Sequence, residues 1–354
     1  MLKQEAPLET TDPAAALAML QQFGGNHPTL DPDVRVSLLS DAAYLSNDKL
    51  KDGAGALKLA NQSFKEAQSA VEAGASDFLL ARVTLVKGHL LILNDKRDEG
   101  EALLGNAENL KRFAGLLSAA TPYERSYGEQ AIVLLISTYH DNQQPAQAVS
   151  TIEEVMRLNP SLLATNGAGL IDHMSINLLD ADKSAEALSW GKLSFVLANF
   201  DNDAIGRSTQ LLARAWAKSG DLGALRDFTK AQNGDTSVKN PLDAIALPAI
   251  ASDKATSAAL SQLAGEWENK GRIHDAISAY VLTGQWLPAM RRAQNVWLKD
   301  PQSAAGAQEV GRVFKAADLA PTRGNAFVAY VTGGGEVNPL KEFLQQHAAG
   351  KVIN

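Results

Sequence analysis

Between Glu129 and Pro160 the chain spells out one complete helix–turn–helix unit, and a unit of this kind cannot bury its own apolar face. Ile132, Leu135, Ile136 and Tyr139 recur at helical spacing and form a first stripe. Ala148, Ile152 and Val155 form a second, and Leu158-Asn159-Pro160 closes the unit. Two amphipathic helices joined by a short turn expose an apolar surface on either side, so neighbouring units must stack on them. The expected fold class is therefore all-α: an α-solenoid of stacked antiparallel helix pairs.

Length agrees with this. At 354 residues the chain exceeds the size at which one compact core keeps growing, whereas a stack adds a slice of core with each unit. Apolar residues make up 45% of the chain, enough for burial throughout, but the longest apolar run lies around Leu90-Leu91-Ile92-Leu93. That is far short of the roughly 20 residues that cross a bilayer, so no transmembrane segment is expected. The net charge is only −7 and Lys and Arg never form a block, which leaves general nucleic-acid affinity without an electrostatic basis. The absence of cysteine excludes disulfides, thiol catalysis and cysteine-ligated metal sites. The first dozen residues, MLKQEAPLETTD, carry neither a basic nor an apolar leader region. Two addresses stay open: the cytoplasm, or the bacterial periplasm and envelope if the chain is a mature form.

Almost every segment favours helix. Asp12-Pro13 and Asp31-Pro32 are start signals, and Gly24-Gly25 ends the first helix. Further helices are expected over Gly53–Ala73, Asp77–Leu93 and Glu99–Leu117, with Thr121-Pro122 opening the one that carries Ile132. The plan recurs through Ile171, Met174 and Leu178, then Leu212, Ala213 and Trp216 before the Gly220-Asp221 turn. Ala148, Ala187 and Leu225 mark a loose period of about 38 residues. The polar run Asn233–Pro241 reads as a longer loop or bend. Beyond it Leu260, Leu263, Ala264 and Trp267 lead to Gly271, Ala276 and Tyr280, and a further turn at Gly284 leads to Ala289, Ala293 and Val296. Helices over Ser303–Ala317, Arg323–Val331 and Pro339–Ala348 follow as a cap. This divides the chain into divergent helical pairs at 1–120, repeats at 121–232 and 242–301, and capping helices at 302–354.

These residues resemble the tetratricopeptide repeat. Ile132, Leu135, Ile136, Tyr139, Ala148, Ile152 and Pro160 occupy the slots of its Trp-x2-Leu-Gly-x2-Tyr and Ala-x3-Phe…Pro pattern, with Ile136 where a small glycine is usual. Leu260, Leu263, Ala264, Trp267, Ala276 and Tyr280 fit again, with the small Ala264 at the glycine slot. The resemblance covers about 123–301 and implies a right-handed superhelical α-solenoid, a scaffold that holds a peptide or protein in a concave groove. The chaperone-clamp subtype is not expected. Its lysine and asparagine would stand at Gln130, Val133, Leu134 or Ser137.

Candidate contacts follow from one charged stripe. Arg207, Gln210, Arg214 and Lys218 are spaced by three and four and share a helix face, a surface suited to an acidic partner segment. Asp172 and His173 extend it, with Asn177 beside them. The same stripe is also what any solvated helix face looks like. His27, His89, His140, His173, His274 and His347 are scattered, with no metal-binding pair, and the paired acids Glu153-Glu154 and Glu266 with Glu268 show no convergence. No catalytic residue, metal or cofactor is expected. Gly333-Gly334-Gly335 is followed by Glu336-Val337-Asn338-Pro339 rather than Gly-Lys-Ser, so it reads as a connection between helices. Trp190, Trp216 and Trp267 read as core, and Trp286 as a residue a partner could reach. The expected function is non-catalytic protein binding, with homo-oligomers open to it. The alternatives are an α/α-toroid carbohydrate-active enzyme, against which the aromatic content of 6% counts, and a solenoid of an envelope or polysaccharide-export complex.

Overall fold

A computed structural model describes residues 9–27, 30–165, 169–197, 202–232, 237–238, 253–319, 330 and 332–335. The protein is all-α, and the described residues include no strand. The chain divides into two compact units, Met1–Gln144 and Pro145–Asn354. The division falls in the turn of the 129–160 unit, so its two helices belong to different units.

The N-terminal unit contains α1 (Pro13–Asn26), α2 (Pro32–Asp48), α3 (Gly53–Glu72), α4 (Asp77–Leu93), α5 (Arg97–Leu104), α6 (Ala107–Leu116) and α7 (Pro122–Asp141). Most of these start as the sequence signals. Side chains of Asp12, Asp31, Asp52, Ser76, Asn106 and Thr121 each accept a hydrogen bond from a main-chain N–H of the first turn, at 2.8–3.3 Å. The single helix expected over Glu99–Leu117 is two helices. Asn106 is an N-cap, its side chain taking the Asn109 N–H at 2.9 Å, and that cap restarts the chain as α6. Helices α2, α4 and α7 lie side by side, while α3, α5 and α6 form a second layer against them. Leu20, Leu38, Leu45, Leu59 and Leu90 form one cluster of the core and Val36, Leu79 and Val83 a second. Burying each such side chain fully contributes about 1.5–3 kcal/mol. At Gly128 the α7 backbone comes so close to α6 that a Cβ would stand 2.7 Å from the Phe113 carbonyl oxygen. That approach seats the start of α7 on its neighbour.

The C-terminal unit contains α8 (Pro145–Leu158), α9 (Ser161–Thr165), α10 (Leu170–Asp180), α11 (Ser184–Leu197), α12 (Asn202–Ser219), α13 (Leu222–Gln232), α14 (Lys254–Asn269), α15 (Ile273–Leu282), α16 (Trp286–Lys299) and α17 (Ala304–Leu319). Pro160 ends α8 as expected, yet a further short helix, α9, follows at once. Chain neighbours pair from α10 to α13 and from α14 to α17, and α10–α12 and α15–α17 touch across one intervening helix. Two contacts skip much further: α9 packs on α14 and α15, and α11 on α17. Within this unit, contacts therefore run beyond nearest neighbours. The turns at Gly271 and Gly284 have φ of +74° and +69°, a conformation glycine adopts without a Cβ penalty. Glu268 pins three helices together, accepting from the Tyr280 hydroxyl at 2.9 Å and from Arg292 Nε at 3.0 Å. Trp190, Trp216 and Trp267 are buried, and Trp286 is half-buried at the start of α16. Of the expected segments, Asn233–Pro241 lies outside the described residues except at 237–238, Arg323–Val331 except at 330, and Pro339–Ala348 entirely.

Candidate functional site

The charged stripe of the sequence occupies one exposed face of α12, in the C-terminal unit. Arg207, Gln210, Arg214 and Lys218 are all exposed. Asp172 and His173 sit on α10, which packs beside α12. Arg207 Nε stands 3.4 Å from Asp172 Oδ2, and the same carboxylate accepts from the Ser194 hydroxyl of α11 at 2.6 Å. Lys218 pairs with Asp182 at 2.8 Å and donates to the Leu179 carbonyl. Half of the stripe is thus spent lacing α12 to α10 and the turn after it. Arg214 and Gln210 keep open donors, with no hydrogen bond or ion pair to the described residues. His173 is half-buried, and its carbonyl accepts from Asn177.

A denser constellation stands in the N-terminal unit, on the face shared by α2, α4 and α7. Helical spacing lines up Asp33, Ser37, Asp41, Tyr44 and Asp48 along α2, and Phe78, Arg82, His89 and Leu93 along α4. Helix α7 contributes Tyr123 and Tyr127 from its first two turns. Phe78, Tyr123 and Tyr127 form a mutual edge-to-face cluster with ring centroids 5.2–5.7 Å apart. Tyr123 is 56% exposed, and Leu93 at the other end of α4 is 49% exposed. Arg82, one turn on from Phe78, is only 7% exposed, 3.2 Å from the Asp33 carboxylate and donating to the Asp33 carbonyl at 3.1 Å. Its Nε is buried without a hydrogen-bond acceptor. Further along, the Tyr44 hydroxyl meets His89 Nδ1 at 3.2 Å.

The protonation behaviour of this face is shifted at four groups. Lost hydration pushes the Tyr44 phenol up to about 12, with Asp48 adding repulsion. Lost hydration also pushes Tyr127 up to about 12, helped by its hydrogen bond with Tyr123. The same cause lowers His89, against the pull of Asp48. Asp41 is exposed by area, yet crowding strips water from its carboxyl and raises it, opposed by Arg82 and reinforced by Glu9. Both phenols stay neutral across the physiological range and keep a hydroxyl proton that can be donated. Shifted groups gathered on one face make it a candidate functional surface.

A second charged cluster is internal to the C-terminal unit. Glu309 of α17 is fully buried and pairs with Arg312, 4% exposed, whose Nη1 donates to Ser278 Oγ at 2.8 Å. His274 Nδ1 lies 3.3 Å from Glu309 Oε2, and its own side chain is about half exposed. The arrangement ties α15 to α17.

The chain matches no protein-family model and no curated protein. Its surfaces must speak for themselves. Among the described residues no group of His, Asp and Glu is placed to hold a metal ion, and no helix is long and apolar enough to cross a membrane. The α2–α4–α7 face was legible in part: Tyr123 and Tyr127 stand four apart, and Asp33, Asp41 and Asp48 fall on one helical line. That Phe78 and Arg82 come between them is a product of packing alone.

Proposed function

We propose that the protein is a non-catalytic interaction scaffold that docks an extended segment of a partner protein on the α2–α4–α7 face. The observation that carries this reading is the ring cluster of Phe78, Tyr123 and Tyr127, open to solvent at Tyr123 and neighboured by the buried Arg82. Tyrosine and arginine are the side chains over-represented among the few residues that dominate protein interfaces. A clustered, pre-positioned aromatic surface costs little ordering entropy on binding. The tetratricopeptide resemblance and the side-by-side setting of α2, α4 and α7 support a solenoid arrangement for the N-terminal unit, in which such a face is presented by successive first helices. The α12 stripe serves as a secondary contact through Arg214 and Gln210.

Affinity capture from the source cell tests this with three baits: the native chain, Tyr123→Ser/Tyr127→Ser, and Arg207→Glu/Arg214→Glu, all with matched helicity. A partner held by the native bait and lost from the tyrosine variant supports the proposed face. Loss only from the arginine variant moves the site to α12. No partner on any bait overturns the scaffold reading in favour of the carbohydrate-active enzyme.

A further inference from the structure

We propose that the segment docked on the α2–α4–α7 face is basic, bearing lysine or arginine; this rests on the docking reading above. Helix α2 has three exposed carboxylates: that of Asp33 is paired with Arg82 at 3.2 Å, whereas those of Asp41 and Asp48 have no ion pair with the described residues, and Glu9 stands close enough to Asp41 to repel it. The nearby cations are already engaged. Arg82 is buried and paired with Asp33. Arg35, on the same helix as the three aspartates, turns to Glu66 of α3, with two guanidinium bonds at 3.0 and 3.1 Å. Lys87 of α4 lies over the Phe64 ring of α3, 4.5 Å from its centroid. Arg125 of α7 is turned back to the carbonyls of Ala119 and Ala120, at 2.8 and 3.0 Å.

The face therefore shows an approaching partner the carboxylates of Asp41 and Asp48 and the ring of Tyr123, while Arg82, Arg35, Lys87 and Arg125 are engaged within the protein. A basic segment meets both needs: one of its cationic head groups pairs with Asp41 or Asp48, and another gains the attraction of a cation over the face of Tyr123. An acidic segment would meet like charge at Asp41 and Asp48, and a polyanion such as nucleic acid more so.

The test is fluorescence anisotropy on the full-length chain, with two labelled short peptides of alternating Lys-Pro-Tyr or Glu-Pro-Tyr and a single-stranded oligonucleotide as polyanion. The lysine peptide should bind at least about tenfold more tightly than the glutamate peptide, and weaken by about tenfold in Asp41→Asn/Asp48→Asn. Tyr123→Ala should weaken it as well. If the glutamate peptide or the oligonucleotide binds as tightly, or if the aspartate variant leaves lysine-peptide binding unchanged while Tyr123→Ala still reduces it, the basic partner is overturned and the docking face survives. If neither peptide binds, or Tyr123→Ala changes nothing, the docking reading falls too.

Discussion

At Glu309 the protein buries a carboxylate completely, and what surrounds it decides the consequences. Arg312 and His274 hold its carboxyl below the usual range, although burial by itself pushes the other way and is the largest single influence. His274 is raised, chiefly by its close contact with the Glu309 carboxylate, 3.3 Å away, and against the cost of its partial burial. The signs define a window. The contribution of His274 is fully present below its unfolded value near 6.5 and is lost as pH rises through its higher folded value. That of Glu309 is present above its unfolded value near 4.5 and is lost as pH falls through its lower folded one. Urea unfolding from about pH 5 to about pH 8 should show stability falling on the alkaline side, and His274→Gln should flatten that fall. The amplitude should stay under about 1 kcal/mol, since the half-exposed ring is screened by water. Glu309→Leu should be far worse, at about 3–5 kcal/mol, because it leaves Arg312 charged and unpaired in the interior. Adding Arg312→Met should recover most of that loss in the same assay, as replacing a whole buried pair costs little.

At the scale of the element, the ends and close approaches of helices position the candidate face. The N-cap at Asn106 turns what reads as one helix into α5 and α6, and α7 then seats on α6 at Gly128. Gly128→Ala would place a methyl group 2.7 Å from the Phe113 carbonyl oxygen, a main-chain atom that moves only with α6. Thermal or urea unfolding should register a loss of about 1–3 kcal/mol. Because Tyr127 is the next residue, partner binding should weaken beyond what lost stability accounts for. Asn106→Ala should cost about 1 kcal/mol through the lost cap, with the fold retained by circular dichroism. Much of this level is readable in advance. Asp-Pro and Thr-Pro start signals and the apolar periods locate nearly every helix, whereas the Gly105-Asn106 break needed the Asn109 N–H to reveal which of two local signals prevails.

For the molecule as a whole, the division at Gln144/Pro145 puts every residue of the ring cluster and the α2 carboxylates in the N-terminal unit. A chain cut there should keep lysine-peptide binding in 1–144 and lose it from 145–354, measured by the same anisotropy titration. Binding that needs both pieces would place the site elsewhere. Raising salt from about 0.05 M to about 0.5 M should weaken binding, as exposed carboxylates are screened once the Debye length falls below the charge separation.

What the amino-acid sequence determined by itself was the all-α class, most helix starts and the inward stripes: Ile132, Leu135 and Ile136 are buried, as are Ala148, Ile152 and Val155. These depend on periods of three and four and on caps within a single turn, which are local properties of the chain. The tertiary structure alone decided which charges remain available. Arg207 and Lys218 look as free in sequence as Arg214, but Asp172 and Asp182 approach them from 35 and 36 residues away. The same holds for Phe78 and Arg82, which gain their meaning only when α4 lies between α2 and α7. Contact across helices depends on side chains far apart in the chain, and a one-dimensional pattern carries helix faces without carrying their partners.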